Sequence, residues 1–162
     1  MTTTIDLSTM KNEHRSASIF VWKGSAYLPG NGQYPSGIRT FVAPVEIANL
    51  TAEGLSEAIG RTLVRPVVSL PESSSVGTPE HPDVILRATG AKSWKQLYTH
   101  GAGYDVVWNR ERITVHMVHV DPSQRGQYDP KRERVLPKNT SLVEIVKPIL
   151  DDLRVRNLLV QH

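Results

Sequence analysis

Asp105 and His116 are the first residues whose types and spacing could support catalysis. They lie in the stretch from Tyr104 to Val120, where apolar and polar residues alternate with the period of two typical of strands. If Trp108 faces Ile113 across a tight turn, Asp105 lies opposite His116 on the polar face of a hairpin. A carboxylate beside an imidazole can orient a general base, but such a pair is also an ordinary cross-strand contact. No motif ties a nucleophile to this pair.

His116, His119 and Asp121 have side chains that bind metals. On a regular strand His119 and Asp121 share one face and His116 points to the other, so the three cannot converge without a bulge. The chain has no cysteine, which excludes disulfides, cysteine-ligated zinc and a thiol nucleophile. We therefore expect no metal and no cofactor.

Two charged stretches are candidates for partner contacts. Arg132 and Arg134, near Tyr128, lie in the densest basic stretch, which could contact a protein, bind nucleic-acid phosphates or form a solvated edge strand. Asp151 and Asp152 form the sharpest acidic step, on a predicted helix, and are either partner contacts or surface charge. The formal net charge of +3 permits nucleic-acid binding without arguing for it.

The strands that must position these residues belong to one predicted α+β domain, an antiparallel sheet of about five or six strands. The 162 residues suit a polar arm over 1–15 and a single folded unit over 16–162. Besides the central hairpin, strands are predicted at Ser18–Trp22, Ser25–Leu28, Ile38–Ile47 and within Gln127–Leu136. Pro44 donates no hydrogen bond, which places the third strand at an edge or a bulge. The intervening stretches 29–37 and 65–82 are predicted to be loops.

Helix-capping residues predict the helical layer. Thr51, Ser93 and Ser141 precede apolar residues at helical spacing. A further short helix is predicted from Asp83 to Ala88, ending at Gly90. The last helix has the widest apolar stripe, from Leu142 to Leu153. We predict that it covers the apolar face of the sheet with a kink at Pro148, and that the shorter helices also pack on the sheet. No run approaches the roughly 20 apolar residues of a membrane span, and the amino terminus lacks a secretory signal.

Several segments, taken in order, resemble one group of known proteins. They are SASIFVWKGSAYLP from residue 16, ATGAKSWKQL from residue 88, the hairpin with Tyr104 and Trp108, the step Tyr128-Asp129-Pro130, and SLVEIVKPILDDLRVR from residue 141. This set, from about residue 16 to the carboxyl end, is similar to the immunity proteins of contact-dependent growth inhibition, the CdiI family.

The resemblance implies a bacterial, cytoplasmic protein with no catalysis of its own. It would bind the carboxyl-terminal toxin domain of a CdiA-type protein in a one-to-one complex and occlude the toxin's active site or substrate face. The toxin is expected to be a nuclease, and Asp151, Asp152, Arg132, Arg134 and Tyr128 are the predicted contacts. Two alternatives remain: a small hydrolase or nuclease using Asp105 and His116, and a basic nucleic-acid-binding module.

The charge of the chain and its aromatic residues indicate which contacts could bind such a toxin. Nucleases that bind phosphates tend to be basic around the active site, whereas this chain is weakly basic. Either its acidic residues are grouped on one face, or it covers an acidic toxin surface. Trp22, Tyr27 and Tyr34 are candidate anchors if they are exposed, and Trp108 is predicted to lie in the core.

Overall fold

The computed structural model describes residues 15–71, 83–109, 111–120 and 126–159, with the backbone alone at 119, 120 and 126. In this part of the chain the elements are β1 (Arg15–Trp22), β2 (Ser25–Gln33), β3 (Arg39–Asn49), α1 (Ala52–Val64), β4 (Val68–Ser69), α2 (Val84–Thr89), α3 (Trp94–His100), β5 (Ala102–Trp108), β6 (Arg112–Val120), β7 (Gly126–Tyr128), β8 (Arg134–Pro137) and α4 (Leu142–Val155). Of the predicted arm, residues 1–14 lie outside the described residues, and Arg15 begins β1.

The strands form one sheet in the order β3-β2-β1-β5-β6-β7, with β8 also paired to β6. All these pairs are antiparallel, and the short β4 alone pairs in parallel, with β2. Together with the four helices this confirms the predicted α+β class and the sheet. The eight described strands exceed the predicted five or six because β4 is added and because β7 and β8 replace one expected strand.

The central hairpin has the predicted register. Trp108 pairs with Ile113, Val106 with Val115 and Tyr104 with Met117. All six side chains are buried on one face of the sheet, where they belong to the main hydrophobic core. Because side chains alternate along a strand, this burial sends Asp105, Val107, Thr114 and His116 to the opposite face.

Helices cover the two faces unequally. α1 and α4 pack against each other and over the apolar face, where Leu55, Ile59, Ile145 and Ile149 are fully buried. On the opposite face α2 and α3 bury a smaller cluster around Phe20, Trp22, Ile85 and Leu97. The rest of that second face is left with polar residues from β1 and β5.

Helix α4 begins and continues as predicted. The Ser141 hydroxyl accepts a hydrogen bond from the Glu144 backbone nitrogen at 3.3 Å, which satisfies one free donor of the first turn. The sequence also predicts that Glu144 completes a capping box with Ser141, but its side chain pairs with Lys147 one turn further along. The helix runs through Pro148 to Val155, because its buried stripe of Ile145, Val146, Ile149 and Leu153 lies on both sides of the proline.

The junction from α3 to β5 depends on a glycine. Ser93 caps α3, and Gly101 ends it by donating its backbone N–H to the Leu97 carbonyl oxygen. A Cβ on Gly101 would lie 2.1 Å from the Val21 carbonyl oxygen and 2.7 Å from that of Leu97. No side chain fits there, so β5 can start beside β1 only from a glycine at this position.

Two predicted boundaries are wrong. The stretch 29–37 was expected to be a loop turning at Asn31-Gly32, but β2 continues to Gln33 with an irregularity between Leu28 and Gly30. Its eleven-residue partner β3 pairs with Gly30 to Gln33 of this stretch, and the loop is confined to residues 34–38. The strand expected within Gln127–Leu136 is divided into β7 and β8, with the interruption around Pro130.

Other local predictions are confirmed. β3 is an edge strand and contains Pro44. The short helix predicted from Asp83 to Ala88 is α2, and it ends at Gly90 in the left-handed conformation, with Asp83 as its N-cap. The second predicted loop, 65–82, is wrong at Val68–Ser69, which form β4 against β2, and its residues 72–82 lie outside the described residues. In the described part of the chain, no helix is both long and apolar enough to cross a membrane.

Replacing Val146 with alanine tests the packing of α4. Val146 is fully buried, and we expect its loss to lower the free energy of unfolding by roughly 2 kcal/mol, since two buried methyl groups at about 0.8 kcal/mol each are lost and a cavity remains. Val143→Ala is the matched control, because Val143 lies in the same helix and is 44% exposed. Denaturant unfolding of both variants measures the difference. Equal losses would contradict the assigned buried face.

Candidate partner-binding site

Asp152, a predicted partner contact, is held within the protein. Its side chain is only 9% exposed and accepts a 2.5 Å hydrogen bond from the Tyr104 hydroxyl. Arg132 and Arg156 both form ion pairs with it, the latter at 3.7 Å. Asp152 therefore joins α4 to the core strand β5 and to the segment between β7 and β8. Two of the five predicted contacts, Asp152 and Arg132, bind each other.

Asp151 and Arg134 are the more accessible of the predicted charges. The Asp151 side chain is 70% exposed and pairs with Arg154 at 3.1 Å, one turn further along α4. Arg134 is exposed at the start of β8. These side chains remain predicted contacts, on the side of the molecule that carries α4.

Tyr128 lies on the other side of the sheet. It pairs with Val118 in the ladder between β6 and β7 and stacks on the His116 ring, with ring centroids 3.9 Å apart and planes 6° from parallel. The ring is 48% exposed, so one edge is available to a partner. Burial, followed by the charge and hydrogen bond of Asp105, raises the pKa of the Tyr128 hydroxyl.

Asp105 lies opposite His116, as the predicted register requires, but the two side chains have other partners. The Ser18 hydroxyl donates a 2.5 Å hydrogen bond to Asp105 Oδ1, while His116 Nδ1 lies 3.9 Å from Glu133. His116 has the Tyr128 ring on its face. These contacts give no support to a general base in which Asp105 orients His116, because the carboxylate is bonded to hydroxyl groups instead.

The metal hypothesis cannot be followed to all its ligands. The His119 side chain and Asp121 lie outside the described residues, as does Arg125 of the basic stretch. In the ranges that the structure describes, no three His, Asp or Glu side chains are grouped as metal ligands would be.

Aromatic side chains border the polar part of the second face. The Trp94 indole N–H donates to Asp83, and the Trp94 ring lies 5.2 Å from Phe20 and 5.7 Å from Tyr98. Together with Asp105 and Tyr128, the side chains of Asp83 and Trp94 line one cleft. The sequence predicted neither Trp94 nor Ser18 as part of a site. The available signal was the alternation of Ser16 and Ser18 with buried apolar residues along β1.

The proposed aromatic anchors are largely inaccessible. Trp22 and Tyr34 are buried, whereas Tyr27 is partly exposed. Trp108 is buried in the core, as predicted. Trp94 and Tyr128 are therefore better placed than Trp22 or Tyr34 to contact a partner on this side.

Comparison with known proteins identifies a shared fold. No protein-family model and no curated protein matches the chain. Among solved structures, the chain is similar to a protein of unknown function from Neisseria meningitidis, with a TM-score of 0.62 and 13% identity over 88% of this chain and 96% of that one. It is also similar to a chain of the CdiA-CT/CdiI toxin and immunity complex from Yersinia pseudotuberculosis, with a TM-score of 0.56 and 13% identity over 85% of this chain and 94% of that one.

Replacing Asp152 with alanine tests its structural role. The change leaves Arg132, Arg156 and the Tyr104 hydroxyl without their shared acceptor, and we expect the free energy of unfolding to fall by about 2–3 kcal/mol. Asp151→Ala is the adjacent control and should change it by no more than about 0.5 kcal/mol, since that side chain is exposed. Similar losses in both variants would show that Asp152 does not join these elements.

Tyr104 makes stability sensitive to alkaline pH. Burial raises the pKa of its hydroxyl from 10.0 to about 12. Between these values the folded state keeps a proton that the unfolded state has lost, so stability falls as pH rises. Tyr104→Phe should therefore lose less stability than the native chain over this interval, although it starts lower because its hydrogen bond to Asp152 is gone. Denaturant unfolding at a series of pH values measures the two slopes, and equal slopes would contradict the assignment.

Proposed function

We propose that this chain is an immunity protein that binds a cognate toxin domain and blocks it. The observation that carries the proposal is the shared fold with a chain from a toxin and immunity complex, which spans nearly all of that chain. The ordered segments between residue 16 and the carboxyl end that resemble the CdiI family support the same function. Within it, the partner is the carboxyl-terminal toxin domain of a CdiA-type protein, bound one-to-one in the bacterial cytoplasm.

The mechanism that we propose is steric occlusion, without catalysis by this chain. Asp105 accepts a hydrogen bond from Ser18, and His116 stacks on Tyr128, so the two do not form the paired carboxylate and imidazole that a general base would use. The toxin, which we propose is a nuclease, would be covered at its active site or at the face that binds its substrate. A few desolvated side chains would then supply most of the affinity.

The side of the sheet that carries Tyr128 and Trp94 is the proposed binding face. There the sheet is only partly covered by α2 and α3, and aromatic rings lie beside carboxylates. Aromatic residues are enriched where interfaces are tightest. On the α4 side, by contrast, Asp152 and Arg132 are already paired with each other, which leaves Asp151 and Arg134 as secondary contacts.

Co-expression with the toxin domain encoded beside this chain tests the function. We expect growth to be rescued and the two proteins to co-purify as a stable one-to-one complex. An unrelated toxin domain is the control and should be neither bound nor neutralised, because immunity is specific for one toxin type. Rescue without a complex would point instead to enzymatic reversal of the damage. If growth is not rescued and the two proteins do not bind, the proposal is wrong.

A nucleic-acid-binding assay separates the proposal from the basic-module alternative. Binding through Lys131, Arg132 and Arg134 would weaken steeply as salt concentration rises. We expect no such binding at physiological salt, because Arg132 is engaged by Asp152. Tight, strongly salt-dependent binding would favour the alternative.

A further inference from the structure

A cleft of about 590 Å³ opens on the face of the sheet opposite α4. Its floor includes Ser18 and Asp105 from β1 and β5, and Trp94, Asp83 and Tyr128 are among the residues around it. Two carboxylates line the cleft, those of Asp83 and Asp105. Among the described residues that line it, the one cationic side chain is that of Arg39, which is exposed. Although the whole chain is weakly basic, this cleft is acidic.

Asp105 has no cationic partner among the described residues. Its carboxylate accepts hydrogen bonds from the hydroxyl groups of Ser18 and Tyr128, and neither hydroxyl neutralises its charge. None of the ion pairs in the described part of the chain includes it. A carboxylate has about four acceptor positions, so two remain for a further donor. A partly buried carboxylate without a counter-charge favours binding of a cation.

Asp83 adds to the negative potential but is less free to bind. It caps α2 by accepting from the backbone nitrogens of Ile85 and Leu86, and it also accepts from the Trp94 indole. Both carboxylates act on one hydroxyl group: burial raises the pKa of Tyr98, and the charges of Asp105 and Asp83 raise it further. The two carboxylates therefore lower the electrostatic potential in the same part of the cleft. Asp105 is the one with acceptor positions left for a bound cation.

The aromatic walls suit the stem and head of a basic side chain. Trp94 is fixed by its bond to Asp83 and by its contacts with Phe20 and Tyr98. Tyr128 is fixed by stacking on His116. Cations are attracted to the faces of such rings, and the aliphatic stems of lysine and arginine pack against them.

We propose that this cleft receives a lysine or arginine side chain of the bound protein, with the cationic group on Asp105 and the stem against Trp94 and Tyr128. The inference rests on the proposed function, because the occupant is a residue of the toxin domain. It explains how a weakly basic chain could hold a basic nuclease: the acidic groups that the partner requires are concentrated in one cleft.

Asp105→Asn in the full chain, assayed with the toxin domain, is the first test. Asparagine keeps the shape and an acceptor for Ser18 but removes the charge. We expect affinity to fall about 10- to 100-fold and to become less sensitive to salt, since a charge-assisted contact is lost. Glu144→Gln makes the same change of charge on α4, where Glu144 is exposed, and should alter affinity by less than about 3-fold.

Val107→Lys provides a second test that keeps Asp105. Val107 lies two residues along β5 on the same face, lines the cleft and is partly exposed. An ammonium group there would compete for Asp105 and repel an incoming cation, so we expect a similar loss of affinity. Replacing the toxin's lysines and arginines one at a time should then identify a residue whose loss makes Asp105→Asn nearly silent, as a double-mutant cycle requires.

The outcomes separate the two proposals. If the native chain forms the complex and both cleft variants, folded as judged by denaturant unfolding, bind as Glu144→Gln does, the cleft proposal is overturned and the immunity function stands. If one variant fails to fold, the other decides. If the native chain forms no complex with the toxin domain, both proposals are overturned. Loss confined to the cleft variants supports both.

Discussion

The alternation of side chains along β5 is the constraint on which the rest of the structure depends. Tyr104, Val106 and Trp108 are buried under α1 and α4, and this burial leaves no freedom in the placement of the residues between them. Asp105 and Val107 must then face the other way, toward the cleft. The same strand therefore builds the core and the candidate binding site, and a shift by one residue would destroy both.

Asp152 connects helix α4 to the sheet, on the side of the sheet opposite the cleft. Through Tyr104 it ties α4 to β5, and through Arg132 it ties α4 to the segment that leads into β8. Charges that look in the sequence like an exposed acidic step and an exposed basic stretch are in part each other's partners. Asp105, on the opposite side of the sheet, is a partly buried carboxylate that none of the ion pairs among the described residues includes.

The fold could be predicted where a pattern repeats, whereas the sequence indicated only single residues of the cleft, Asp105 and Tyr128. The register from Trp108 to Met117 and the buried stripe of α4 follow from periodic burial, which a sequence displays directly. The turn expected at Asn31-Gly32 was wrong because the long partner β3 outweighs a local turn signal. The pairing of Arg132 with Asp152, and of Ser18 with Asp105, joins residues far apart in the chain. Such contacts leave no local pattern to read.

Gly101 limits how this fold can diverge. Core positions such as Val106 or Ile145 accept any apolar side chain of similar volume, so substitutions can accumulate there and the fold can persist at the 13% identity seen with the similar structures. Gly101 has no such latitude, since even a methyl group would meet the carbonyl oxygens of Val21 and Leu97. We therefore expect related sequences with this fold to keep glycine at the α3–β5 junction even where most core residues have been substituted.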